Sequence, residues 1–277
     1  IYISVLKFIY FHPNIILIKL LNKYTILIEV LNMVVINNIN NLDLDNTICC
    51  GQIFRYEKLE DNSYIVVLKD RVVKLKYIDN KLYIDSNNMD NIENVIREYL
   101  DLDRDYISII ENIKECDDVL GKYLDKSIGL KMIKQDPIEC IISYIISQNN
   151  SVRNIKNSLD LISCKFGNKV IFLDKDYYLF PGIDKLSKIS LEEFRECKVG
   201  FRDRYLVDII SDIVENRLNV NYIFEMNSED SLRYLMSFRG IGMKVASCIL
   251  LFAYQKYDVY PIDTWVKKYM DTNYGIK

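Results

Sequence analysis

The apolar residues of this chain change period once, and that change limits the folds open to it. From about Val34 to Asp85 the runs Ser63–Leu68 and Val72–Tyr77 are β-branched and aromatic, with Asp61-Asn62 and Asp79-Asn80 as turns. From Asp90 onward the period is helical almost throughout: Ile92, Val95, Ile96 and Tyr99, then Ile107, Ile110 and Ile113, then Ile138, Ile141, Ile142 and Ile145. Strands followed by helices predict an α+β fold with segregated layers. The expected division is an N-terminal antiparallel sheet domain with flanking helices over 33–125 and an all-helical body over 126–277.

Within the body, Gly240-Ile241-Gly242-Met243-Lys244 stands between two apolar helical stretches. Leu232, Leu235 and Met236 precede it, and Val245, Ile249 and Phe252 follow, so the pattern reads as helix, tight hairpin, helix. Two glycines one residue apart allow positive φ and close approach of a ligand, and the N–H groups opening the second helix suit a phosphate. Lys244 falls in the first turn of that helix, and Cys248 shares its face. A partly desolvated lysine near a helix N-terminus is biased toward the neutral amine, the form that attacks a sugar or carbonyl carbon. Asp263, after Pro261, is placed to cap a third helix carrying Trp265, Val266 and Tyr269. Taken singly, these are an ordinary turn, a solvated phosphate contact and an N-cap; their order and separation are what demand a joint explanation.

Taken together, this element resembles the helix-hairpin-helix DNA glycosylase superfamily, whose members follow it with a catalytic aspartate. Residues far upstream narrow the resemblance. Cys50-Gly51-Gln52-Ile53-Phe54-Arg55 is similar to the GQ-x-F-R signature of the 8-oxoguanine DNA glycosylase/AP lyase family. Gln135-Asp136-Pro137-Ile138-Glu139-Cys140 through Ser147-Gln148-Asn149-Asn150 looks like its central segment, and Lys198-Val199-Gly200-Phe201-Arg202 looks like a further motif. The motifs stand in the family's order, from about Leu42 to Tyr269.

The resemblance implies an enzyme of base-excision repair that flips 8-oxoguanine out of duplex DNA and removes it, then cleaves the strand through a Schiff base. It makes Lys244 the nucleophile and Asp263 the stabiliser of the cationic sugar. Gly51 would offer a backbone carbonyl to the lesion's extra N7 hydrogen, with Cys248 and Phe252 lining the base pocket. Asn149 would fill the gap left by the flipped base. Asn150, Arg153, Asn154, Phe201 and Arg202 would meet DNA, with N–H groups of Gly240, Gly242 and Val245 on phosphate. Carbonyls of Met236, Phe238 and Ile241 would hold a monovalent cation; no organic cofactor is expected. The expected partner is double-stranded DNA containing an oxidised purine, met by a monomer.

Three departures from the family pattern stand out. Asn154 replaces an arginine that reads the opposite cytosine, with Arg153 one position early, which implies relaxed opposite-base selectivity. Phe201 replaces a frequent tyrosine wedge but keeps the stacking plane. The final family helix, with its glutamine and aromatic against the lesion, has no counterpart after Lys277, so a C-terminal truncation is expected. Competing readings are a non-catalytic or crippled DNA-binding fragment, or a glycosylase for another base. The sheet-domain motif opposes an endonuclease III-like enzyme, and Lys244 opposes an alkyl-base glycosylase.

Composition fits a globular protein, with 50% hydrophobic and 27% charged residues. A net charge of −3 opposes DNA binding by bulk charge, but the distribution is uneven. Residues 89–118 are net −7 and residues 232–277 net +4, which places the DNA face near the hairpin. Seven cysteines without a CxxC pair fit a reducing cytoplasm, and the expected location is cytoplasmic, beside the nucleoid. Residues 1–32 read as a non-native upstream extension ahead of Met33; Lys7, Lys19, Lys23 and Glu29 interrupt it too often for a membrane span, which needs about 20 apolar residues.

Overall fold

The β-branched and aromatic runs do form a sheet. In the computed structural model, which describes residues 33–276, the strands are β1 (Val34–Ile36), β2 (Tyr56–Lys58), β3 (Tyr64–Val67), β4 (Val72–Ile78) and β5 (Lys81–Ser86). The expected upstream extension, 1–32, lies outside the described residues. All pairings are antiparallel, in the order β1-β5-β4-β3-β2, and Leu75 faces Tyr64 on one side and Ile84 on the other. Asp79 and Asn80 close the β4–β5 hairpin at φ 50° and 60°, values that short polar side chains tolerate.

One face of the sheet packs on helices. Tyr64, Leu75, Leu82 and Ile84 share a core with Ile48 of α1 (Leu44–Cys49) and with Ile92 and Ile96 of α2 (Ile92–Tyr99). Ile133, in the stretch that leads into the body, belongs to this same core. The acidic stretch continues into α3 (Tyr106–Cys116) and α4 (Asp118–Leu124), where Asp105 and Asp117 serve as N-caps.

The body contains α5 (Pro137–Ser147), α6 (Val152–Phe166), α7 (Ile183–Leu186), α8 (Leu191–Glu196), α9 (Asp203–Val214), α10 (Ser228–Met236), α11 (Met243–Tyr254) and α12 (Thr264–Tyr274). Asp136 starts α5 by accepting the Ile138 and Glu139 N–H groups at 3.0 and 3.2 Å, with Pro137 filling the first helical position. Cys140, Ile141, Ile142, Ile145 and Ile146 are wholly buried, so α5 is apolar nearly all round and forms the axis of the body, against α11.

The body is not all-helical. It carries a hairpin of β6 (Lys169–Phe172) and β7 (Lys175–Tyr178), closed by Leu173 and Asp174 at φ 49° and 57°. Strands of four residues are too short to announce themselves by alternation. The hairpin has a clear packing reason: Phe172 joins Ile65 and Val72 on the sheet's second face.

Directional bonds join the two cores at the Gln52–Arg55 segment. The Gln52 side chain donates to the Lys131 carbonyl at 2.8 Å and accepts the Ile133 N–H at 2.9 Å. Its backbone carbonyl accepts from the Gln135 side chain at 2.7 Å and from the Tyr144 hydroxyl at 3.1 Å. The Arg55 guanidinium meets the Glu139 carboxylate at 3.0 Å and donates to the Tyr178 carbonyl. Burial pushes the Glu139 carboxyl above its usual range, with Arg55 opposing that shift.

Removing one partner of a buried ion pair strands the other charge, at a cost of about 3 kcal/mol. Glu139→Gln should therefore lower the unfolding free energy in urea titrations by about 3 kcal/mol. A loss below about 1 kcal/mol would show that the carbonyl contact suffices to hold Arg55.

Candidate active site and DNA interface

The hairpin between α10 and α11 is built around Gly240. Its φ is +88°, and a Cβ there would lie 2.7 Å from Cγ of Tyr205, so both conformation and space require glycine. Gly242 differs: as N-cap of α11 it has φ −93°, and a Cβ would meet nothing within 4 Å. No side chain caps α11, and its opening turn is closed by the Ala246 N–H, which donates to the Gly242 carbonyl at 2.9 Å. The N–H groups before it remain for an external acceptor, beside the positive end of the helix.

Lys244, half-buried in that first turn, holds its Nζ 5.2 Å from the ring centre of Tyr144 on α5. Cys248 lies one turn further along and is buried. Burial pushes its thiol above the usual range, the charge and hydrogen bond of Lys244 pull it back, and the Asp263 carboxylate adds to the rise. Amine, thiol and carboxylate therefore share one electrostatic neighbourhood. Asp263 caps α12, where Oδ1 accepts the N–H groups of Trp265 at 2.9 Å and Val266 at 2.8 Å. The helix behind this cap is anchored by the acidic segment: the Tyr274 hydroxyl donates to Asp117 at 2.6 Å, and the Tyr269 ring packs edge-on against Tyr123.

Phe252 stacks on Tyr144 with centroids 5.6 Å apart and 12° between the planes. Gly51, at φ +92° and with open space where a Cβ would be, adjoins Gln52, whose carbonyl Tyr144 holds. Tyr144 thus joins Phe252, Lys244 and the residue after Gly51, although helical periodicity hides it as one more apolar position.

The second group of candidates converges at Gln148. Its side chain donates to the Gly240 carbonyl at 2.9 Å, which ties the end of α5 to the hairpin. Asn149 follows, exposed, at φ 46°. The Asn150 side chain folds back to the Ile146 carbonyl at 3.1 Å, while Arg153 and Asn154 are exposed on the first turn of α6. Phe201 is 58% exposed, a wide apolar ring facing solvent. Arg202 does not share that exposure: it is 5% exposed and donates to the carbonyls of Gln148, Asn149 and Val199, the last two at 3.1 and 3.0 Å. The motif Gly200-Phe201-Arg202 thus presents the ring outward and turns the guanidinium inward.

Beside Phe201 opens a basic groove of 710 Å³, lined by Arg195, Lys198, Arg204 and Arg239 against one carboxylate, Asp203. Arg195 and Arg239 are paired with Asp203 and Asp208 at 2.6 and 2.8 Å. Among the described residues the Arg204 and Lys198 side chains make no ion pair or hydrogen bond. Sequence reasoning missed this groove because its cations are scattered over three elements rather than clustered in a run. Of the carbonyls of Met236, Phe238 and Ile241, that of Phe238 accepts the Ile241 N–H at 3.2 Å. No cluster of His, Cys, Asp or Glu among the described residues could hold a metal ion, and no helix among them is long and apolar enough to cross a membrane.

Comparison with known proteins places this geometry. Residues 34–141 match the family described as 8-oxoguanine DNA glycosylase, N-terminal domain. The chain superposes with a TM-score of 0.85 and 39% identity on a crystal structure of Clostridium acetobutylicum 8-oxoguanine glycosylase/lyase in complex with double-stranded DNA containing cytosine opposite 8-oxoG, covering 88% of this chain and 83% of that one. It is 26% identical over 243 residues to the N-glycosylase/DNA lyase OGG1 of Arabidopsis thaliana, covering 84% of this chain and 66% of that protein. It is also 26% identical to the N-glycosylase/DNA lyase of Saccharomyces cerevisiae, covering 86% of this chain and 70% of that protein. The chain thus spans about two thirds of the length of these curated relatives.

The two hairpin glycines should respond differently to substitution. Gly240→Ala forces a side chain into positive φ and against Tyr205, and is expected to cost about 2 kcal/mol and lower the melting temperature by about 5 °C. Gly242→Ala should cost less than about 1 kcal/mol. Thermal unfolding followed by circular dichroism checks both, and equal losses would refute the steric argument.

Proposed function

The chain belongs to the 8-oxoguanine DNA glycosylase family, and from that premise we propose that it removes 8-oxoguanine from duplex DNA and cleaves the resulting abasic site, with Lys244 and Asp263 as the catalytic pair. The observation that carries this reading is Lys244 in the first turn of the uncapped α11, its Nζ 5.2 Å from the Tyr144 ring, followed by Asp263 fixed as the cap of α12. The Lys244 amine, once free of its extra proton, attacks C1′. A C–N bond forms, and the glycosidic bond breaks with its electrons leaving on the base. Opening of the sugar ring then gives the imine, and loss of a C2′ proton expels the 3′ phosphate.

The Asp263 carboxylate stabilises the cationic sugar, with Oδ1 fixed by the Trp265 and Val266 N–H groups at 2.9 and 2.8 Å. The Gly51 carbonyl tests the base for the N7 hydrogen, and Cys248 and Phe252 line its pocket. Asn149, on its projecting turn, fills the vacated stack, with Phe201 as the wedge beside the opposite base. Asn150, Arg153 and Asn154 border that opening, and Arg202 braces it from within. Asn154 in place of an arginine supports a relaxed preference for cytosine. The N–H groups of Gly240, Gly242 and Val245 bind phosphate.

The carbonyls of Met236, Phe238 and Ile241 supply neutral oxygen donors without a carboxylate, a set that suits a singly charged cation; bound there, it would add positive charge beside the phosphate. The enzyme acts on DNA as a monomer in this reading, and seven free cysteines support a reducing compartment such as the cytoplasm around the nucleoid.

The basic groove beside Phe201 extends the interface along the backbone of the complementary strand. Replacing Lys198 and Arg204 together by alanine should flatten the plot of log affinity against log salt by about 2 units, the effect of two lost phosphate contacts. An unchanged slope would remove the groove from the DNA path.

Borohydride trapping on an 8-oxoguanine duplex tests the chemistry. The wild type is expected to give a covalent adduct, Lys244→Gln none, and Asp263→Asn an adduct formed at least about 100-fold more slowly. Duplex binding without any wild-type adduct would leave a non-catalytic DNA-binding module.

A further inference from the structure

Tyr144 touches both halves of the site. It sits mid-way along α5, 3% exposed, with the Phe54 ring edge-on at 5.9 Å. Its ring faces Phe252, stacked at 5.6 Å, and lies 5.2 Å from the Lys244 amine. Its hydroxyl reaches the other way, across the junction of the two cores, and donates to the Gln52 carbonyl at 3.1 Å. Burial pushes that hydroxyl well above its usual range, so it remains a donor wherever the protein is folded.

Gly51 needs such a support. At φ +92° and with open space where a Cβ would stand, it has no side chain to anchor it. The orientation is set from the next residue, whose side chain bonds the Lys131 carbonyl and Ile133 N–H, and whose carbonyl takes hydrogen bonds from Gln135 and Tyr144 at 2.7 and 3.1 Å. Telling an N–H from a lone pair on a purine depends on where one acceptor oxygen points.

We infer that Tyr144 is a positioning residue that couples base selection to the nucleophile: its hydroxyl holds the Gln52 carbonyl, one peptide beyond that of Gly51, and its ring stands beside the Lys244 amine. The inference rests on the glycosylase reading above. The two functions separate chemically, because the hydroxyl can be deleted while the ring stays. A residue that only filled the core would not separate them.

The test uses the full chain in single-turnover reactions on two duplexes, one with 8-oxoguanine opposite cytosine and one with an abasic site. In Tyr144→Phe the ratio of base-excision rate to abasic-site cleavage rate is expected to fall about three- to tenfold, the effect of one hydrogen bond, with Gln135 still holding the carbonyl. In Tyr144→Leu borohydride trapping on the abasic duplex should fall as well, about tenfold, through loss of the ring face beside the amine. Phenylalanine at this position should then restore trapping but not the ratio. An unaltered ratio in Tyr144→Phe, or equal falls in both rates in step with melting temperature, overturns the inference alone. A wild type inert on both duplexes overturns it together with the glycosylase reading.

Discussion

The buried Arg55 guanidinium is the contact on which the geometry of this molecule depends. The protein has two large apolar cores, one between the sheet and α2 and one around α5 and α11, and apolar burial can hold each together on its own. Burial is non-directional and cannot fix how one core is set against the other. Arg55 supplies direction: it leaves the sheet domain, pairs with Glu139 on α5 and donates to the Tyr178 carbonyl on the β6–β7 hairpin. A buried ion pair contributes little net stability compared with apolar residues of the same shape, and its Nε has no partner among the described residues. Its value is register. Gly51 stands four residues before Arg55, and Tyr144 stands one helical turn and a residue beyond Glu139, so the ion pair sets the distance across the candidate site.

Gln148 plays the corresponding part on the DNA side. One amide bonds the hairpin carbonyl of Gly240, while its own backbone carbonyl is held by Arg202 at 3.0 Å. Tyr205 completes the arrangement, packed against Gly240 and edge-on to Phe201 with centroids 6.3 Å apart. Phe201, the Asn149 loop and the Gly240 hairpin therefore come from three separate elements but share two braces.

What was legible in the sequence is what is local. The antiparallel runs of β3 and β4, the hairpin glycines and Asp263 before α12 follow from turn and cap chemistry within a few residues, whereas the pairing of β1 with β5 joins Val34 to Ile84 across the whole sheet domain. The β6–β7 hairpin was not legible, because its strands are four residues long and its turn, Leu173-Asp174, lacks glycine. Tyr144 was hidden for the opposite reason. It lies in a helix so apolar that no face is marked, and only the approach of Lys244 and Gln52 in space gives it a part to play. Lys198 opens a motif that was read and Arg204 follows it, but their meeting with Arg239 across a groove is tertiary.

Arg202 shows how a correctly recognised motif can carry the wrong geometry for one of its residues. Three of its hydrogen bonds end on carbonyls of Gln148 and Asn149, the loop that precedes α6. Those carbonyls follow the end of α5, where the helix no longer supplies donors, and Asn149 at φ 46° turns the chain sharply outward. Left unpaired, an acceptor shielded from water costs about 1–3 kcal/mol, and these partly shielded carbonyls would cost a share of that. By satisfying them the guanidinium lowers the conformational freedom of the exposed tip, which reduces the entropy lost when a loop is ordered by a ligand. A DNA base could recruit Arg202 only by displacing bonds that hold Asn149 in place. On this geometry the ring of Phe201 and the side chains of Arg153 and Asn154 stand exposed, while the arginine of the motif is turned inward and spent on the loop it braces.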